Sequence, residues 1–127
     1  MAEVRRIPKW IMLEALRNNA SFLKLERSDG TLVGAVGVAL EDFAVSTQDY
    51  DPVLKLKVSN PKTIQVGVGD TITAILLVIE GMNAPAEYDG DDHDIRYPIV
   101  DVDGNGEYFP DGGSIDTTEF EVYLNDL

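Results

Sequence analysis

Thr71-Ile72-Thr73-Ala74-Ile75-Leu76-Leu77-Val78-Ile79-Glu80 is the stretch whose reading decides the fold. It is apolar at nearly every position and bounded by Gly69-Asp70 before and Gly81 after. A strand reads this way when both faces are buried, because successive side chains point to opposite sides of a sheet. A buried helix is the rival reading. The brevity of the run, with β-branched residues at Thr71, Ile72, Thr73, Ile75, Val78 and Ile79, favours a strand. The stretch is expected to be the central strand of the core.

Upstream, Thr63 to Val68 leads into Gly69-Asp70 as a further strand. Val53-Leu-Lys-Leu-Lys-Val58 shows the cleanest alternation in the chain. It predicts Leu54, Leu56 and Val58 facing in and Lys55 and Lys57 facing out. Phe43 to Ser46 reads as a short edge strand. Ser21 to Leu40 reads as a hairpin turning at Ser28-Asp29-Gly30. Gly34 and Gly37 in its returning strand point to a bulge or a close backbone approach, and with no lysine at the required spacing they form no phosphate loop. Pro8 to Asn19 is the helix candidate: Pro8 suits a first turn, and Trp10, Leu13 and Leu16 recur every three residues, with Met12 extending that face. Such a helix either caps the sheet or docks on a neighbouring subunit with Trp10 as anchor.

Downstream, Ile95 to Val102 and Thr118 to Leu124 read as strands, the last alternating Phe120, Val122 and Leu124 with charged or polar residues. Together these predict a mainly β fold: a single-domain antiparallel β-sandwich or jelly-roll-like barrel with a short N-terminal α-helix. Residues 1–20 form an arm and helix, and 21–127 a β core with acidic loops at 87–94 and 101–116. With 127 residues and 44% hydrophobic content, the chain has enough apolar side chains for one core.

The chain has no cysteine, which excludes disulfides and thiolate metal sites. Its first residues lack a secretory signal's uninterrupted apolar run, and no segment reaches the ~18–20 apolar residues of a membrane span. The expected protein is made in the cytoplasm and does not enter a membrane. The net charge is −13, and all of it lies after residue 79: residues 1–79 carry nine basic and nine acidic side chains, and 80–127 carry Arg96 against fourteen carboxylates. That distribution disfavours binding a nucleic-acid backbone, which relies on clustered Lys and Arg. It suits solubility, cation binding or a basic partner.

Asp101-Val-Asp103-Gly-Asn105-Gly106-Glu107 is the sharpest local pattern. It resembles the opening half of an EF-hand calcium loop, where oxygens at positions one, three and five converge on the ion and a glycine at six permits the bend. Asp101, Asp103, Asn105, Glu107 and Asp111 are the candidate ligands. The likeness then departs, since Gly112 stands where a bidentate glutamate belongs and no helices flank the loop. Asp103-Gly104-Asn105-Gly106 is equally good hairpin chemistry with no metal. Both readings stand. The second acidic run, Glu87 to Asp94, holds the only histidine, His93, and one histidine completes no transition-metal triad. No nucleophile, base or phosphate-cradle pattern is present, so no catalytic residue is named and no enzyme is expected.

With the basic arm Arg5-Arg6-Ile7-Pro8-Lys9-Trp10 and the two-faced strands around Gln65–Gly81, the whole chain is similar in style to small accessory virion proteins of tailed bacteriophages. These are capsid decoration or cement proteins and small tail or head–tail proteins. The resemblance implies a non-enzymatic subunit located in the virion, present in many copies or as a homo-oligomer, bound to capsid or tail subunits. Arg5, Arg6, Trp10 and Ile11 would then form its interface. No cofactor is required, and calcium would only stiffen a loop. The alternative is a calcium-dependent binding or adhesion module.

Overall fold

The computed structural model describes residues 6–48, 51–56, 60, 62–79, 94–99 and 106–123. Helix α1 (Arg6–Asn19) opens the described chain, and the Asn19 side chain donates to the Ala15 carbonyl at 2.7 Å to close its last turn. Strand β1 (Ala20–Arg27) follows without a break and returns as β2 (Leu32–Gly37). Between them the Asp29 carboxylate accepts from the Thr31 N–H and hydroxyl, at 3.0 and 2.6 Å, and Gly30 takes φ +87°. The expected hairpin is present with its expected turn.

Strand β6 (Asp70–Ile79) is central, as its sequence requires. It pairs antiparallel with β1 on one side, and on the other with β7 (Asp94–Pro98) and then β8 (Glu107–Phe109). The five-stranded sheet runs β2-β1-β6-β7, with β8 beside β7 on the same edge of β6. Glu26 pairs with Ala74 and Arg27 with Ile72, so Thr73 is an extra residue and the alternation changes phase there. The bulge brings Ile72 onto the same face as Ile75 and Leu77, and all three join the core. Ala74 and Leu76 take the opposite face and are buried too, so the run is covered on both sides.

A second sheet runs β10-β4-β3, from β3 (Phe43–Gln48), β4 (Asp51–Leu56) and β10 (Glu121–Tyr123). The edge position expected for β3 is observed. The inward and outward sorting expected of Leu54 to Val58 falls outside the described side chains. A two-stranded sheet pairs β5 (Thr63–Val66) with β9 (Gly113–Asp116). All described pairings are antiparallel. One cluster draws Leu13 from α1, Leu23, Leu25, Ile72 and Leu77 from the first sheet, Phe43 and Val122 from the second, and Ile64 and Ile115 from the third. Phe120 fills its centre against Tyr97, ring centroids 5.6 Å apart.

Three expectations need correction. The described strands form no closed barrel, because β2 ends the first sheet at one edge and β7 at the other without meeting. Residues 101–116 are not one acidic loop: β8 and β9 occupy part of it, since β6 is longer than β7 and its first residues take β8 as partner. The last strand is likewise shorter than expected, because Thr117–Glu119 forms a 3-10 turn capped by the Asp116 carboxylate on the Thr118 N–H.

Candidate interaction surface and acidic loops

Helix α1 packs against β3 and β4, with Leu13 and Leu16 facing the core and Lys9, one turn before Leu13, partly buried. Leu13 is fully buried, and Leu16 packs against the core cluster. The inward stripe therefore lies about one residue away from the expected Trp10-Leu13-Leu16 line. Lysine can occupy such a position because its aliphatic stem covers apolar surface while its ammonium reaches water. Arg17 supports the helix from the side: its guanidinium meets Glu14 at 3.2 Å, and its Nε donates to the Leu40 carbonyl at 3.1 Å.

That rotation leaves an apolar stripe facing solvent. Ile7 is 72% exposed, Trp10 46% and Ile11 57%, at i, i+3 and i+4, and Met12 is 48% exposed. Single exposed apolar side chains are ordinary, but Ile7, Trp10 and Ile11 share one helix face. Trp10 and Ile11, singled out in the sequence, belong to it. Ile7 completes it and was missed, although helical spacing from Ile11 identifies it, while Met12 is exposed on another side of the helix. Arg6 opens the helix, and Arg5 lies outside the described residues.

Asp101, Asp103 and Asn105, three of the five candidate calcium ligands, also lie outside the described residues, as does His93. Glu107 opens β8 and Asp111 lies in the turn after it, both exposed. Among the described residues no three acidic or histidine side chains converge as a metal site would require. The two ends of the loop are held at one place on β6: the Ile99 N–H donates to the Thr73 carbonyl at 2.8 Å, and Gly106 is buried beside Ile72 and Thr73. Gly106 has φ +88°, and a Cβ there would collide with the Ile72 carbonyl oxygen. The glycine at position six of the calcium-like pattern is thus required by the approach to β6.

The described charges brace strands. Glu26 on β1 accepts from Arg96 on β7, at 3.0 and 3.2 Å, and from the Thr73 hydroxyl at 3.0 Å on the intervening β6. The Arg96 guanidinium holds the Glu26 carboxyl below its usual range; partial burial opposes this, and the Thr73 bond adds to it. Asp42 is buried, accepts from the Ala39 N–H at 2.7 Å and meets Lys62 at 3.2 Å. Arg27 and Asp70 pair at 3.2 Å beside the β1–β2 turn. Each cluster ties segments distant in sequence, which is a structural role for groups that composition alone leaves unassigned. No described helix is long and apolar enough to cross a membrane. No family model, curated protein or solved structure matches this chain.

Proposed function

We propose that this chain is a non-enzymatic structural subunit of a large assembly, a small accessory virion protein of a tailed bacteriophage of the capsid-decoration, cement or tail-associated kind. Its sheets are read as a β-sandwich closed at one end by α1. The observation that carries the proposal is the solvent-facing stripe of Ile7, Trp10 and Ile11 on a helix anchored to the core by Leu13. A rigid helix presenting a tryptophan and two isoleucines is a docking element for another protein surface. Repetition over a symmetric shell or tube adds weak single contacts together. The acidic second half of the chain keeps such a subunit soluble before assembly and away from nucleic acid.

One observation favours a second reading, the calcium-dependent binding module. Ile99 and Gly106, on either side of Asp101, Asp103 and Asn105 in the sequence, are held at neighbouring residues of β6, Thr73 and Ile72. Native mass and thermal unfolding in calcium and in chelator separate the two. The structural subunit self-associates and melts at the same temperature in both. A monomer whose melting temperature drops sharply in chelator sinks the structural reading and supports the module.

A further inference from the structure

We draw no further inference here: the strongest candidate, the exposed apolar surface at Val68 in the turn between β5 and β6 and at Tyr108 on the adjoining β8, carries nothing because no feature of the structure shows what covers it.

Discussion

At the scale of single residues, Gly106 occupies a position that only glycine fits. Its φ of +88° is disfavoured for residues with a Cβ, and the Ile72 carbonyl fills the space a side chain needs. Gly106→Ala is expected to cost about 2–3 kcal/mol, from the backbone conformation and the displacement of β6 together, measured by urea unfolding. A loss below about 0.5 kcal/mol would mean that the loop end is not held against β6. Glu26 makes a different prediction. Its carboxyl is held down first by Arg96, so its pairing stabilises the fold above the ordinary glutamate range near ~4.3 and is lost as pH falls through the lower folded value. Because the Arg96 side chain is 46% exposed, the contribution is below about 1 kcal/mol. Glu26→Gln lowers the thermal midpoint at pH 7, and the gap from wild type closes as the pH falls below the ordinary glutamate range. A gap that stays constant with pH would show that the charge is not involved.

At the scale of elements, α1 divides into a face that stabilises the fold and an apolar face exposed to solvent. Leu13→Ala removes a fully buried side chain and is expected to cost about 3 kcal/mol of stability. Trp10→Ala and Ile11→Ala, outside the core, should each change monomer stability by less than about 0.5 kcal/mol. Thermal unfolding of the three variants at low protein concentration checks this, and a large loss at Trp10 would place it in the core. The sequence made the helix legible, through Pro8 and the three-residue recurrence, but not its rotation. The sequence left Trp10 with two readings, on the sheet or on a neighbour; Trp10 is exposed, and Lys9, whose apolar stem a binary pattern counts as polar, is partly buried. Strand β6 was legible because ten residues in a row carried the signal. Strands β8 and β9, three and four residues long and flanked by glycines and Pro110, carry too little periodicity to be read before the pairing is seen.

At the scale of the whole molecule, the division between a neutral first part and an acidic second part was legible from composition. The structure adds where part of it lies: β7 and β8 share one edge of β6, and the uncharged β2 lies on the other side of β1. The chemistry of the 101–106 pattern was not decidable from spacing, because oxygen-bearing side chains alternating with glycine serve a tight turn and a calcium ion equally well. The apolar helix face and the carboxylates gathered in one part of the chain are the features on which the proposed structural role rests. The most direct measurement counts the chain by mass spectrometry in particles pelleted from the cells that make it, for wild type and for a variant combining Trp10→Glu with Ile11→Glu. The prediction is a wild-type chain in the pellet in many copies per particle, and a folded variant left in the supernatant. A wild-type chain found wholly in the supernatant, or a variant that pellets equally well, contradicts the account.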